Sequence, residues 1–160
     1  MKYYAFTPEK AMEAIMVYRE YFRDKGIFEN EVYEGVPELL ERIKCSGRKI
    51  VLATSKPEEY AVRILEHLGL AKYFDLIAGA TMDESRNQKD KVIKYALEML
   101  GITDVSRVIM IGDREHDVIG AAKHGIDTVG VLFGYGDREE LECAGAKYIA
   151  ATPNEILDFI

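Results

Sequence analysis

Short apolar runs that alternate with helix-like segments constrain the fold of this chain more than any other feature. Five such runs occur, at residues 49–54, 74–78, 108–111, 128–133 and 147–150. Apolar runs of this length predict strands, and the continuous, β-branched ones predict strands buried on both faces of a sheet. The alternation therefore predicts an α/β fold, with a parallel sheet and helices on both faces.

Helices are predicted between these strands and at both ends of the chain. Residues 7–26 open with Thr-Pro-Glu, which supplies an N-cap, a proline in the first turn and an acidic first turn. The other predicted helices are 36–47, 57–69, 88–100, 118–124, 138–144 and a last one from Pro153. Because only helix precedes the first strands, we predict a small helical segment at residues 1–33 and an α/β core at residues 34–160.

A glycine and two carboxylates follow the third predicted strand. Gly112 ends the run, Asp113 comes next, and Asp117 precedes the following predicted helix. Ligands of open α/β sheets bind outside the carboxyl ends of the strands, and two carboxylates on one loop suit a magnesium-like ion. The alternative is that Asp113 caps the helix and Asp117 is solvated.

Three more side chains converge on the same edge. Thr54 and Ser55 end a strand and precede a helix, so their hydroxyls and N–H groups are candidates to hold a phosphoryl group. The alternative is a serine that only caps the helix. Lys89 begins a helix, where a cation is unfavourable against the helix dipole unless an anion lies nearby. His116, alone among acidic neighbours, is expected to be a surface residue.

This ordered set resembles the motifs of the haloacid dehalogenase (HAD) superfamily of phosphatases. Residues 52–57, Leu-Ala-Thr-Ser-Lys-Pro, look like its second motif, Lys89 like its third, and residues 111–117, Ile-Gly-Asp-Arg-Glu-His-Asp, like its fourth. Residues 33–40 and 134–136 are further similar to the phosphoglycolate phosphatase branch, which includes 5′-nucleotidases. The resemblance implies a HAD-like Rossmannoid core with part of a helical cap at residues 1–33.

The resemblance also implies a role for each candidate residue. Thr54 would bind the transferring phosphoryl group together with Ser55, and Lys89 would neutralise its charge, so that Thr54 and Lys89 are the catalytic candidates. Asp113 would ligate Mg²⁺, and Asp117 would support the metal site or Lys89. The expected ligand is a small phosphorylated metabolite or a nucleotide.

One family motif has no counterpart in this sequence. The first motif, Asp-x-Asp-Gly-Thr, supplies the nucleophile, and no Asp-x-Asp occurs. We therefore expect that the first core strand and part of the cap are missing at the amino end. That strand is central in the family's sheet, so its loss should leave two half-sheets with unpaired edges. Magnesium should bind weakly or not at all, because it demands nearly full octahedral coordination.

Three functional hypotheses follow. The first is a Mg-dependent phosphomonoesterase of the phosphoglycolate phosphatase or nucleotidase type, truncated at its amino terminus and inactive as an isolated chain. The second is a non-catalytic remnant or assembly module that pairs with another chain or copy through exposed sheet edges. A nucleotide-binding or receiver-like module is a weaker third, since no Gly-x-Gly-x-x-Gly follows the first strand.

The composition of the chain limits the classes of partner that it is expected to bind. The chain carries 28 acidic and 21 basic side chains, a net charge of -7, and no basic cluster, which argues against nucleic-acid polymers and anionic membranes. The sequence contains no apolar span long enough to predict a membrane helix. Cys45 and Cys143 lack metal-ligand spacing, so we expect them to be small packing residues of a reduced, cytoplasmic protein.

Overall fold

The computed structural model describes residues 6–83 and 85–160. The chain divides into two compact units, Met1–Glu31 and Val32–Ile160. The first unit is helical, whereas the second combines strands with helices.

The first unit contains helix α1 (Pro8–Asp24) and a 3-10 turn (Gly26–Phe28). The helix begins where the sequence predicts, because the hydroxyl of Thr7 accepts the N–H of Lys10 at 3.3 Å and a proline occupies the first turn. Tyr18 and Phe22, one turn apart on α1, stack with their ring centroids 5.6 Å apart.

The second unit alternates strands and helices along the chain. Its α-helices are α2 (Val36–Cys45), α3 (Glu58–His67), α4 (Lys89–Met99), α5 (Glu115–Ala122) and α6 (Arg138–Ala144). Its strands are β1 (Val51–Pro57), β2 (Leu76–Ala80), β3 (Ile109–Gly112), β4 (Asp127–Val131) and β5 (Tyr148–Ala150). Two 3-10 turns, Ala71–Tyr73 and Pro153–Asp158, complete it. This order confirms the predicted α/β class.

The strands form two parallel sheets. β1 pairs with β2 in one sheet, and β3, β4 and β5 pair in that order in the other. Among residues 32–83 and 85–160, no strand pairs with both sheets, so no ladder joins β1 to β3. Parallel pairing and two half-sheets are both as expected from the sequence.

Helices cover both faces of the larger sheet. On one face, Leu39 and Ile43 of α2 pack against Val129 and Val131 of β4. On the other face, α5 contacts β3 and β4, and α4 contacts α5, β1 and β2. The helices therefore hold together two sheets that share no ladder hydrogen bond.

An apolar gap separates the facing edges of β1 and β3. It contains a cavity of about 90 Å³, lined by Val51 and Ala53 on one side and by Ile109 and Met110 on the other. Ile93 of α4 lines the cavity as well, and it belongs to a buried cluster against which Ala53 and Met110 pack. These side chains present an apolar slot between two strand edges.

Several element bounds differ from the prediction by a few residues, and those of helix α5 and strand β1 matter most for the site. Helix α5 begins at Glu115 instead of residue 118, because the carboxylate of Asp117 accepts the N–H of Arg114 at 3.2 Å and organises the first turn. Pro57 ends β1 instead of opening α3, and the last segment from Pro153 is a 3-10 turn instead of an α-helix. As a result Asp117 lies inside the first turn of α5, not before the helix.

Candidate active site

Lys89 and Asp117 form a buried ion pair beside the apolar gap. Lys89 Nζ lies 2.8 Å from Asp117 Oδ1, and the two side chains are only 14% and 10% exposed. The same Nζ donates a hydrogen bond of 2.7 Å to the main-chain oxygen of Ala53 in β1. Gly120 makes room for the lysine stem, since a Cβ there would lie 2.7 Å from Lys89 Cγ. One side chain thus connects α4 and α5 to β1, and Asp117 is the anion that a lysine at a helix start requires.

Asp117 is fully engaged within the protein. Its Oδ2 accepts the main-chain N–H groups of Asp113 and Arg114 at 3.1 and 3.2 Å, while Oδ1 faces Lys89. The residue is buried, so the alternative of a solvated Asp117 is wrong. A carboxylate with three donors is suited to positioning Lys89 and the loop after β3. Its role as a metal ligand stays a prediction.

Asp113 is enclosed by the loop that follows β4. Its Oδ2 accepts the N–H of Tyr135 at 2.8 Å, and its main-chain oxygen accepts the N–H of Gly136 at 2.9 Å. A side chain at Gly134 or Gly136 would overlap Asp113, so both glycines are required for this approach. Asp113 does not cap α5, because the N-cap residue is Arg114. This contact was not predicted from the sequence, although the Gly-Tyr-Gly spacing of residues 134–136 is the signal for it.

Thr54 and Ser55 lie in the second half of β1, which continues past them to Pro57, so the prediction that they end the strand is wrong. Thr54 Oγ1 accepts the N–H of Lys56 at 3.2 Å, and Ser55 is exposed. Helix α3 begins after Pro57 with no side-chain cap, so the alternative in which Ser55 caps the helix is wrong. Because Lys89 binds the carbonyl of the residue before Thr54, the structure brings the predicted phosphate-binding residues to one place.

A polar cavity of about 380 Å³ lies beside this ion pair. Ser55 and Lys89 line one part of it, and His116 and Lys123 line another. His116 is exposed, as expected from the sequence. A volume of this size, with a few polar groups converging on it, is in the range of small-ligand sites.

A second ion pair, which sequence reasoning missed, holds the ends of β1 and β2 together. Glu58 Oε2 accepts Arg86 Nη2 at 2.8 Å and the N–H of Gly79 at 3.1 Å. Arg86 Nε donates to the carbonyl of Gly79 at 2.8 Å, and its guanidinium lies 3.6 Å from the ring centroid of Tyr95. These contacts fix the loop that leads into α4 and hence the start of the helix that carries Lys89.

The same loop contains a carboxylate with a low pKa. The hydroxyl of Thr81 and the N–H and hydroxyl of Ser85 lower the pKa of Asp83 to about 2. Ser85 contacts Asp83 Oδ1 at 3.1 Å through its N–H and at 2.8 Å through its hydroxyl. These bonds favour the ionised form of a carboxylate that remains exposed.

The carboxylates of Asp113 and Asp117 do not by themselves supply the ligands that a magnesium ion needs. In the described residues, no group of three or more His, Cys, Asp and Glu side chains is placed to hold a metal. Asp117 is committed to Lys89 and two N–H groups, which leaves the partly engaged carboxylate of Asp113. Magnesium demands near-octahedral oxygen coordination, which one carboxylate does not supply.

Comparison with known proteins assigns the family. Residues 1–131 match the model of the haloacid dehalogenase-like hydrolases. The chain belongs to this family. The resemblance of the chain to the HAD superfamily of phosphatases is therefore confirmed. The assignment of residues 52–57, Lys89 and residues 111–117 to individual motifs stays a prediction.

Relatives of this HAD chain include enzymes of phosphate chemistry. A 5′-nucleotidase of Pseudomonas aeruginosa is 39% identical over 141 residues, 88% of this chain and 63% of that protein. Tyrosine-protein kinase PtkA of Mycobacterium tuberculosis is 41% identical over 150 residues, 92% and 51% of the two chains. A phosphoglycolate phosphatase of Neisseria meningitidis is 37% identical over 120 residues, 75% and 51%. The chain thus spans between half and two thirds of the length of these relatives.

A solved structure of a predicted phosphatase from Clostridium acetobutylicum has the same fold. It superimposes with a TM-score of 0.92 at 48% identity, over 99% of this HAD chain and 73% of that protein. The likeness to solved HAD-family folds confirms the predicted fold class. In the described residues, no helix is long and apolar enough to cross a membrane.

Proposed function

We propose that this chain is part of a Mg-dependent phosphomonoesterase of the nucleotidase or phosphoglycolate phosphatase type. The observation that carries the proposal is the position of the Lys89 ammonium, which is fixed between Asp117 and the carbonyl of Ala53, the residue before Thr54, and lines the same cavity as Ser55. A cation held in a fixed place at the carboxyl ends of parallel strands suits a phosphoryl group.

Each candidate residue has a part in this proposal. Thr54 and Ser55 donate hydroxyl hydrogen bonds to phosphoryl oxygens, and Lys89 neutralises their charge. Asp117 keeps Lys89 in place. Asp113 would offer one oxygen ligand to Mg²⁺, and Asp117 would support that metal site from the same loop. Since the described residues supply too few ligands, we propose that the chain alone holds the ion weakly or not at all.

The proposed ligand is a small phosphorylated metabolite or a nucleotide. The net charge of -7 disfavours a nucleic-acid polymer, whose binding depends on many cationic contacts. Inorganic phosphate binding, measured by isothermal titration calorimetry, tests the site directly. Lys89→Met should weaken binding by about tenfold or more, the worth of a charge-assisted hydrogen bond. The matched control is Lys94→Met on the same helix, whose side chain is 67% exposed, and it should leave binding unchanged.

We propose further that residues 1–160 alone do not turn over phosphomonoesters. No Asp-x-Asp is present, so the covalent aspartyl-phosphate that divides the reaction into two easier steps cannot form in the family's way. Purified chain with p-nitrophenyl phosphate and Mg²⁺ should show no hydrolysis above the buffer blank. Robust hydrolysis that Asp113→Ala abolishes would contradict this proposal.

A second candidate function rests on the apolar gap. Two strand edges that face an apolar slot can accept a further strand, and unpaired edges otherwise promote association. The alternative is therefore an assembly module, which pairs with another chain or copy through β1 and β3. Light scattering should then show a dimer, or an amino-terminal Asp-x-Asp fragment should bind and restore hydrolysis. A compact monomer that gains no activity with the fragment would exclude this function.

We also propose a cytoplasmic location. The expectation that Cys45 and Cys143 are small packing residues is wrong, because both are exposed free thiols. Exposed unpaired thiols persist best in a reducing compartment. Cell fractionation that places the protein outside the cytoplasm would contradict the proposal.

A further inference from the structure

One carboxylate of α6 binds the start of α5 from outside that helix. Glu140 Oε1 accepts the main-chain N–H of Glu115, the first residue of α5, at 2.8 Å, and the side-chain Nε of Arg114 at 2.7 Å. The side chain of Glu140 is only 25% exposed, so these two donors replace much of its hydration. The first turn of a helix has N–H groups without an acceptor inside the helix, and α6 supplies one of the missing acceptors.

The donors around Glu140 keep it ionised. The N–H of Glu115 first, and then the guanidinium of Arg114, hold the pKa of the Glu140 carboxyl below its ordinary value. Glu140 is therefore a charged acceptor at neutral pH, and it lies at the positive end of the α5 dipole.

The residues that Glu140 binds belong to the loop that carries the two site carboxylates. Asp113 immediately precedes Arg114, and Asp117 Oδ2 accepts the N–H groups of both residues at 3.1 and 3.2 Å. Asp117 Oδ1 in turn lies 2.8 Å from Lys89 Nζ. A shift in the first turn of α5 would therefore move Asp117, and with it the ammonium on which the proposed function depends.

A second glutamate on α6 shows what an ordinary surface ion pair looks like. Glu142 pairs with Arg138 one turn away at 3.0 Å, and both side chains are more than half exposed. Such a pair within one helix contributes little to stability and holds no second element in place. Glu140 differs because its contact joins α6 to α5 and includes a main-chain N–H.

We propose that Glu140 is a positioning residue of the site, which holds the first turn of α5 by hydrogen bonds so that Asp117 and Lys89 keep their places. It acts on the ligand through Arg114 and Glu115 and does not contact the ligand itself. This inference rests on the proposed function, since the ligand whose binding it supports is the phosphoryl group.

Charge alone would act in the opposite direction. Removal of a negative charge near an anion site favours binding of the anion. Weaker phosphate binding after loss of the Glu140 carboxylate would therefore identify lost hydrogen bonds as the cause, because the change in charge by itself predicts binding that is equal or tighter.

Isothermal titration calorimetry of the chain as it exists, with inorganic phosphate, tests this role. Glu140→Ala should weaken binding by about tenfold, the usual effect of losing a hydrogen bond to a charged group. Glu140→Gln removes the same charge but keeps the acceptor oxygen, so its affinity should stay within about twofold of wild type. Glu142→Ala is the matched control, since it removes an equal charge from the same helix, and it should bind at least as tightly as wild type.

A second readout follows Lys89 in the folded protein. The Hε–Cε signal of this residue in ¹³C-lysine-labelled chain, assigned with Lys89→Met, should shift in Glu140→Ala and keep its wild-type position in Glu140→Gln and Glu142→Ala. A loss of global stability alone would not move the signal, because it reports on folded molecules. If circular dichroism shows Glu140→Ala to be unfolded, Glu140→Asp replaces it with the same expected result, since its shorter side chain keeps the charge but not the reach.

The outcomes separate this inference from the function on which it rests. An unchanged Lys89 signal or an unchanged phosphate affinity in Glu140→Ala would overturn the positioning role, and phosphate binding that still depends on Lys89 would leave the proposed function standing. Equal weakening in Glu140→Gln would also overturn the role, since the charge of Glu140 and not its hydrogen bonds would then matter. A wild-type chain that binds no phosphate would overturn the proposed function, and with it the support that Glu140 is proposed to give to phosphate binding, whatever the Lys89 signal shows.

Discussion

Replacement of Asp117 by alanine should destabilise the second unit more than replacement of any other single charged side chain near the site. The change removes the counter-ion of Lys89, whose side chain is only 14% exposed, and the acceptor of two N–H groups in the loop after β3. Breaking a buried pair by removal of one partner costs about 3–5 kcal/mol, because the other charge stays buried. The N–H groups of Asp113 and Arg114 lie near solvent and can recruit water, so we expect a loss of about 3 kcal/mol in the free energy of unfolding.

Replacement of Lys89 by methionine should cost less. Asp117 then retains two N–H donors, and the apolar stem still packs on Gly120. We expect about 1–2 kcal/mol, and we expect the double variant to lose about 1–2 kcal/mol less than the sum of the single losses.

Urea unfolding followed by circular dichroism measures these changes. With a denaturant slope of about 2 kcal/mol/M, Asp117→Ala should lower the midpoint by about 1.5 M. Glu142→Ala is the matched control, because its pair with Arg138 is more than half exposed and should contribute less than about 0.5 kcal/mol. A midpoint shift for Asp117→Ala no larger than that of the control, or strict additivity with Lys89→Met, would refute the reasoning.

Two further predictions concern the loops beside the site. Gly136→Ala should lower the melting temperature, since its methyl group would overlap the carbonyl oxygen of Asp113 and overpacking costs about 1–3 kcal/mol, whereas Tyr135→Ala next to it should leave the melting temperature unchanged. Equal melting temperatures for the two variants would contradict the close approach. Folding lowers the pKa of Asp83 from 3.8 to about 2, so its contribution to stability is complete above about pH 4 and is lost as the pH falls through about 2. Titration of the carboxyl carbon by NMR should show this low pKa, and Ser85→Ala should raise it; a value that Ser85→Ala leaves in place would contradict the hydrogen-bonded loop.

The sequence predicted the fold where apolar pattern and burial coincide. Residues 128–133 and 147–150 read as strands because their apolar side chains are those that pack in the sheet. The carboxyl end of β1 was not predicted, because Ser55 and Lys56 are polar and exposed, and the apolar pattern that indicates a strand stops before them. The start of α5 at Glu115 was also not predicted. It depends on the carboxylate of Asp117, the third residue of the helix, which accepts the N–H of Arg114 and so caps the helix in place of flanking it.

The candidate site was predictable where a residue is unfavourable in its local context. Lys89 stood out because a cation at a helix start needs an anion, and the structure supplies Asp117. Arg86 and Glu58 gave no such signal, since each is ordinary in its own segment and they meet only through the tertiary fold. The same holds for the contact of Tyr135 with Asp113, which depends on how two strand ends lie side by side.

The division of the strands into two sheets determines how this fold can open. No ladder hydrogen bond joins β1 to β3, so slow amide exchange in one sheet does not require the other to stay intact. Helix α4 couples them, because it contacts β1, β2 and α5 and carries the lysine that binds across to Ala53. Helix α2 couples them as well, because Leu40 packs with Leu52 of β1 and Ile77 of β2, while Leu39 and Ile43 pack with Val129 and Val131 of β4. Opening of β1 and β2 as a cooperative unit of their own would therefore require both helices to detach. Two helices are thus the elements on which the cooperativity of the core depends.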